Sequence, residues 1–163
     1  MVVDDHIYNR DLLGFILEDH DYEYLEANNG REAVEMVAAH DDITIVLMDV
    51  NMPVMDGYEA TRNIKSANPD RYIPIVFVTA LDDEETLAKC LSVGGDDFVP
   101  KPVNENVLVA KVKAHQRTVQ FYKELQETNQ SLSYHQKLMD REHSIVEHVF
   151  QNSMKRVASD CAN

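Results

Sequence analysis

The sequence predicts an α/β fold: a five-stranded parallel sheet, doubly wound, followed by one long C-terminal helix that forms a coiled coil. Three observations carry this. Between residues 1 and 103, short apolar runs alternate five times with segments of helical periodicity. That is the pattern of right-handed strand–helix–strand units covering a parallel sheet on both faces. The runs 43–48 and 75–78 are almost wholly apolar, as expected of strands buried on both sides. Residues 104–163 contain neither Pro nor Gly, so nothing in that stretch stops a helix.

Taken in order, Val2-Val3 reads as the end of a first strand and Asp4-Asp5 as the acids that follow it. Two apolar residues are few for a strand of ordinary length, about 5–6 residues, and suggest a trimmed N-terminus. From 7 to 19, Leu12, Leu13, Ile16 and Leu17 form a helical stripe. The segment 22–27 alternates and predicts a second strand. Asn28-Asn29-Gly30 is a turn, and Ala33, Val34, Val37 and Ala38 mark a helix over 31–40. The third strand, 43–48, ends abruptly in Asp49. A loop holding Pro53 and Gly57 leads to a helix over 57–67, stopped by Asn68-Pro69. Pro74 introduces the fourth strand, 75–78, which closes on Thr79-Ala80. Asp82, Asp83, Glu84 and Glu85 open the fourth helix, where the helix dipole favours acids, and Gly94-Gly95 ends it. A short fifth strand, 96–99, is broken by Pro100-Lys101-Pro102, and the last helix starts near Asn104.

The net charge of −14 is concentrated in residues 1–103, which hold 22 acidic and 7 basic side chains, a net of −15; residues 104–163 hold 7 and 8, a net of +1. The break near Pro102 separates a domain, 1–103, from a helical linker, 104–163, that leads toward an output domain outside the chain. An acidic domain argues against a nucleic-acid surface, which needs clustered Lys and Arg, and it is compatible with a divalent-cation site. No run reaches the roughly 18 apolar residues of a membrane helix. No basic-then-apolar signal segment opens the chain. Cys90 and Cys161 lack metal-ligand spacing and read as free thiols of a reducing, cytoplasmic compartment.

In a parallel sheet every strand ends at the same edge, and such sheets bind their ligands there. That edge gathers Asp4, Asp5, Asp49, Thr79 and Lys101. Carboxylates held together repel one another unless a cation is present, and oxygen-only ligands suit Mg2+. With a lysine and a hydroxyl nearby, the set suits phosphoryl transfer. An Asp49 oxygen would attack phosphorus while the metal and Lys101 neutralise charge, producing an aspartyl phosphate. Each residue alone has a plainer reading. An Asp-Asp pair is commonly a solvated turn or helix cap, Thr79 a strand-end hydroxyl, Lys101-Pro102 a loop. Their joint occurrence at successive strand ends is what points to a site.

The motifs VVDD at 2–5, MDVNMPVMDGYE at 48–59, IVFVTA at 75–80 and GGDDFVPKPV at 94–103 resemble the receiver domain of bacterial two-component response regulators. The middle motif closely resembles that of chemotaxis-type receivers. The resemblance implies a (βα)5, flavodoxin-like domain whose phosphoacceptor is Asp49, supplied by a histidine kinase or a histidine phosphotransfer protein. It implies that Asp4 and Asp5 stand at a Mg2+ ion with Asp49, and that the Asn51 backbone carbonyl completes the protein ligands. Lys101 would bind the phosphoryl group and precede a cis bond to Pro102. Thr79 would be the hydroxyl that moves toward the phosphoryl group. Phe98 would be the aromatic switch that turns inward, where family members often have Tyr.

An unbroken helix over the last sixty residues would reach roughly 80–90 Å at ~1.5 Å per residue. It has little domain left to bury against and should find a partner. Tyr122, Leu125, Asn129, Leu132, Gln136, Met139, His143, Val146 and Phe150 are spaced alternately three and four apart. One seam position is apolar throughout: Leu125, Leu132, Met139 and Val146. Asn129 in the other favours a parallel two-stranded register, so a homodimer through a parallel coiled coil is expected. A competing stripe, Leu138, Ile145 and Val149, suggests a register shift near the end. The plainer reading is a solvated helix packed back on its own domain. His115, His135, His143 and His148 read as structural or solvated, because none is followed by the Glu and downstream Pro that mark a kinase's phosphorylated helix. Residues 140–156 resemble connectors between receivers and metal-dependent serine/threonine phosphatase domains.

The expected function is a signalling switch without enzymatic activity on outside substrates. Phosphoryl uptake at Asp49 would pass through Thr79 and Phe98 to the face of the fourth helix, fifth strand and fifth helix, and on into the coil. The alternative is an interaction scaffold in which the coil is the working part and the receiver is passive. A metal-dependent hydrolase is disfavoured, because the sequence offers no second ligand set and no general base.

Overall fold

The computed structural model describes residues 1–80 and 84–160, without the side chains of residues 84 and 153–160. Asp82, Asp83 and the Glu84 side chain, read above as helix-opening acids, and the Cys161 thiol lie outside the described residues. The chain divides into two compact units, Met1–Gln120 and Phe121–Asn163. The first unit holds β1 (Val2–Val3), α1 (Ile7–Asp19), β2 (Glu26–Ala27), α2 (Gly30–Ala39), β3 (Val46–Met48), α3 (Gly57–Ala67), β4 (Ile75–Thr79), α4 (Glu84–Ser92), β5 (Asp97–Pro100) and the first turns of α5 (Glu105–Asp160).

All strand pairs are parallel, in the order β2-β1-β3-β4-β5. The chain therefore steps outward to β2 on one side of β1 and returns to β3 on the other. That reversal leaves a crevice at the strand C-termini, between β1 and β3. The register pairs Val3 with Met48, so the next residues, Asp4 and Asp49, leave the sheet side by side.

Alternation along β4 separates two cores. Ile75 and Phe77 pack with Ala33, Val37, Met48, Ile64 and Cys90 on one face. Val76 and Val78 pack with Leu13, Ile16, Leu47, Val99 and Leu108 on the other. Both faces are dry, which is why β4 reads as an uninterrupted apolar run. The start of α5 belongs to the second core, since Leu108, Val109 and Val112 are all buried.

The starts of α2 and α3 are set by short polar side chains. Asn29 accepts a hydrogen bond from the Glu32 N–H at 3.0 Å, and Glu32 accepts in return from the Asn28 N–H at 2.8 Å. Asp56 accepts from the Glu59 N–H at 2.8 Å. These caps relieve backbone donors that have no partner inside the helix. Gly57 opens α3 directly against the phospho-acceptor candidate's backbone. A Cβ there would lie 2.2 Å from the Asp49 carbonyl oxygen, so only glycine lets α3 begin this close.

Some elements are shorter than the sequence predicts. Of the segment 22–27, only Glu26–Ala27 pairs in the sheet. β2 is an edge strand, and the tyrosines before it turn onto helices. Tyr22 donates to Gln116 Oε1 at 3.1 Å. Tyr24 lies where a Cβ on Gly14 would fall, 2.3 Å from its hydroxyl oxygen. β3 begins at Val46, where its pairing with Ile75 of β4 starts, rather than at residue 43. β5 begins at Asp97, where its pairing with Val76 starts, rather than at 96; the Asp96 carboxylate is engaged by Lys65 at 2.7 Å and by the Ile75 N–H at 2.8 Å. The Lys101-Pro102 bond is cis.

In the second unit α5 is a continuous helix, and Leu125, Leu132, Met139 and Val146 are all exposed on it. No described helix is long and apolar enough to cross a membrane.

Val54, in the loop after Asn51, has φ +71° and is exposed. A β-branched residue in the left-handed region is strained by about 1–2 kcal/mol. Val54→Asn should raise the free energy of unfolding by about 1 kcal/mol, seen as a higher thermal midpoint. An unchanged or lower midpoint would mean that the loop holds no such strain.

Candidate functional site

Four strand ends meet at the crevice. Asp4 and Asp5 follow β1, Asp49 follows β3, Thr79 ends β4, and Lys101 follows β5. The backbone ties these ends together: the Asp49 N–H donates to the Val3 carbonyl at 2.8 Å, and the Lys101 N–H to the Thr79 carbonyl at 2.8 Å. At the centre the Lys101 ammonium bridges two acids. Its Nζ is 2.7 Å from Asp4 Oδ2 and 2.8 Å from Asp49 Oδ1. Asp4 is 1% exposed, Asp49 8% and Thr79 2%.

The Asp4 carboxylate is held by other donors as well. The His6 N–H donates to Oδ1 at 2.9 Å, and Asn9 Nδ2 lies 3.0 Å from both oxygens. Arg10 Nη1 donates to the Asp4 carbonyl at 2.7 Å. Asp5 is half-buried, with Oδ1 2.8 Å from His6 Nδ1. Asn51 lies exposed in the loop beyond Asp49. Phe98 sits in β5 opposite Phe77, half-buried, with the Lys111 ammonium 5.2 Å from its ring centre.

Six of the sequence-predicted residues therefore come to this edge or its rim, namely Asp4, Asp5, Asp49, Asn51, Thr79 and Lys101, and Phe98 lies within β5 below it. His6, Asn9 and Arg10 are absent from the sequence-based set. The only local signal for Asn9 is a carboxamide in the first turn of the helix that follows the acids, which reads as solvent-facing.

The charges do not balance. Burial pushes the Asp49 carboxyl above its usual range; the hydrogen bond and charge of Lys101 oppose this, while Asp4 and Asp5 add to it. Burial would lower the Lys101 ammonium, but its hydrogen bonds to Asp4 and Asp49 hold it above its usual value. Both shifts are upward, so a simple ion pair does not describe the site. One ammonium bridges two of three neighbouring carboxylates and leaves a surplus of negative charge; burial is the main cause of the Asp49 rise, and the two bonded acids are the cause of the Lys101 rise. A hard divalent cation would fit this surplus, with the carboxylate oxygens as its ligands. The acidic group formed by Asp4 and Asp5 with His6 brings its ligand atoms within 4.8 Å of one another.

Comparison with known proteins agrees with this geometry. The family model for the response regulator receiver domain matches residues 1–113, and the chain belongs to that family. It is 37% identical over 112 residues to a cyclic di-GMP phosphodiesterase of Thermotoga maritima, a match covering 69% of this chain and 29% of that protein. It is 40% identical over 114 residues to the response regulator PleD of Caulobacter vibrioides, covering 70% and 25%. The chain thus spans well under half the length of these relatives. Among solved structures it resembles CheY in the CheX-CheY-BeF3-Mg+2 complex from Borrelia burgdorferi. That match has a TM-score of 0.65 and 28% identity, and covers 69% of this chain and 84% of that one.

Removing one partner of a buried charge pair costs about 3–5 kcal/mol. Lys101 is 22% exposed, so Lys101→Met should cost about 2 kcal/mol at neutral pH. The deficit should narrow at acidic pH, because loss of the ammonium lets the Asp49 carboxyl rise further, and its protonation then relieves the unpaired charge. Urea unfolding at both pH values reads this. A deficit that is constant with pH would show that the bridge does not govern Asp49.

Proposed function

We propose that this chain is the switching part of a two-component response regulator. It takes a phosphoryl group onto Asp49 from a histidine kinase or a histidine phosphotransfer protein. It relays the change through α5 to a parallel coiled-coil dimer and to an output domain carried outside these residues. The observation that carries the reading is the Lys101 ammonium held between Asp4 and Asp49 at the strand ends.

In uptake an Asp49 carboxylate oxygen forms the bond to phosphorus. The bond from phosphorus to the donor's ring nitrogen breaks, and its electron pair stays on that nitrogen. Lys101 is kept charged by Asp4, so it is ready to bond a phosphoryl oxygen when Asp49 is modified. Bound Mg2+ would supply the countercharge that lets a phosphate oxyanion approach a carboxylate. Asp4, Asp5 and Asp49 would hold it together with the Asn51 carbonyl. Support for this comes from the resemblance to the Borrelia CheY, a protein seen with beryllofluoride and magnesium.

Thr79, at the neighbouring strand end, would supply a hydroxyl to the phosphoryl group, and Phe98 would respond by turning inward. Its ring is capped by Lys111, which sits on α5 and is paired with Asp97. A change at Phe98 is therefore felt by the helix that leads into the coil, as a shift between two populations of one fold. Ile7, Tyr8, Leu12 and Phe15 leave apolar surface exposed on α1, and this supports docking of a protein donor. The exposed heptad seam at Leu125, Leu132, Met139 and Val146 supports the dimer.

With Mg2+ and acetyl phosphate, intact mass should show one phosphoryl group on the wild type and none on Asp49→Ala. Equal labelling of the two proteins would sink the assignment of Asp49. In sedimentation, the wild type should be a dimer and Leu132→Asp a monomer. A wild type that stays monomeric with and without beryllofluoride would remove the coil from the reading.

A further inference from the structure

The geometry points to Asn9 as a positioning residue for phosphoryl uptake. Its side-chain amide holds the Asp4 carboxylate, and Asp4 holds the Lys101 ammonium against Asp49. The inference rests on the reading of Asp49 as the phosphoacceptor and concerns what keeps its neighbours in place.

The terminal torsion of an aspartate is soft, so a carboxylate plane needs donors that resist its rotation. The His6 N–H engages Asp4 Oδ1 alone, and Lys101 engages Oδ2 alone. Lys101 sits at the end of a long chain and changes partner when a phosphoryl group arrives. Asn9 Nδ2 is different: it lies 3.0 Å from each oxygen, symmetric between them. Turning the carboxylate in either direction lengthens one of those contacts. The donor sits on a short side chain in the first turn of α1, half-buried, and has few alternative rotamers. It is also neutral. It meets a 1%-exposed side chain with a hydrogen-bond donor and adds no charge that would compete with a divalent cation.

The neighbouring residue grips the same aspartate from behind, where Arg10 Nη1 donates to the Asp4 carbonyl at 2.7 Å. Together the two side chains fix Asp4 to α1 at both its backbone and its carboxylate. Asn9 and Lys101 line one cavity of about 240 Å³, whose remaining lining residues, Leu13, Val78 and Val103 among them, are apolar. Among the described residues lining that cavity, Lys101 is the one other side-chain donor, and it already serves Asp4 Oδ2 and Asp49.

The test compares residues 1–163 as wild type, Asn9→Leu and Asn9→Gln, with acetyl phosphate as donor over a range of Mg2+ concentrations. Asn9→Leu keeps bulk and removes the donor; Asn9→Gln keeps the amide. The expected result for Asn9→Leu is a fall of about tenfold or more in uptake rate at saturating Mg2+, with the half-maximal Mg2+ concentration moved by less than about threefold. Asn9→Gln should return to within about threefold of wild type. Should Asn9→Leu fail to fold by circular dichroism, Asn9→Ala, which also lacks a side-chain donor, carries the same comparison. The inference is overturned if the donor-less variant is as fast as wild type, if added Mg2+ abolishes its deficit, or if Asn9→Gln is as slow as Asn9→Leu. A wild type that takes up no phosphoryl group removes the reading of Asp49 itself, and this inference with it.

Discussion

Surplus negative charge at the end of a buried sheet is the constraint around which the first unit is built. Asp4 and Asp49 are almost out of water, and Asp5 stands beside them. Taking carboxylates out of water costs several kcal/mol each unless donors or counter-charges meet them. The molecule meets the cost from every side of the crevice. Lys101 crosses from β5 to both buried acids, His6 just before α1 supplies its N–H, α1 supplies Asn9, and Arg10 secures the Asp4 carbonyl. Even the bare backbone at Gly57 serves this end, because a side chain there would push α3 away from the strand that carries Asp49.

The topology makes the cluster unavoidable. Parallel pairing with the register Val3–Met48 places Asp4 next to Asp49, and the pairing of Thr79 with Pro100 places Lys101 just beyond β4. The two dry faces of the sheet hold these ends still. β4, buried along its whole length, packs Phe77 into one core and Val78 into the other. A site whose reacting groups sit on rigid strand ends loses little entropy when its ligand arrives.

A second charge cluster lies at the other end of β5. Burial pushes the Asp97 carboxyl up, but hydrogen bonds from Lys111, from the Phe98 N–H and from His115 outweigh it and leave the group below its usual range. Asp97 therefore stays ionised and ties β5 to α5 beside Phe98. The same Lys111 covers the Phe98 ring. The strand that delivers Lys101 to the crevice is thus fastened to the helix that carries the heptad seam. This is the physical connection that the proposed relay would use.

Much of this was legible without coordinates. Hydrophobic runs report burial, and a run dry on both faces reports a parallel sheet, so Asp49, Thr79 and Lys101 could be assigned to one edge from their positions after such runs. Glycines and prolines marked most boundaries. The missing parts share a cause. Residues 22–25 alternate like a strand, yet Tyr22 and Tyr24 turn onto helices at the sheet edge, because their partners, Gln116 and Gly14, lie elsewhere in the chain. Asn9 looks like any polar residue on a helix until its helix is set against Asp4. Local pattern records which residues leave water and with what period. Which polar groups meet depends on the register between strands far apart in sequence, as when Lys101 reaches Asp4 across 97 positions. Only the assembled sheet settles that.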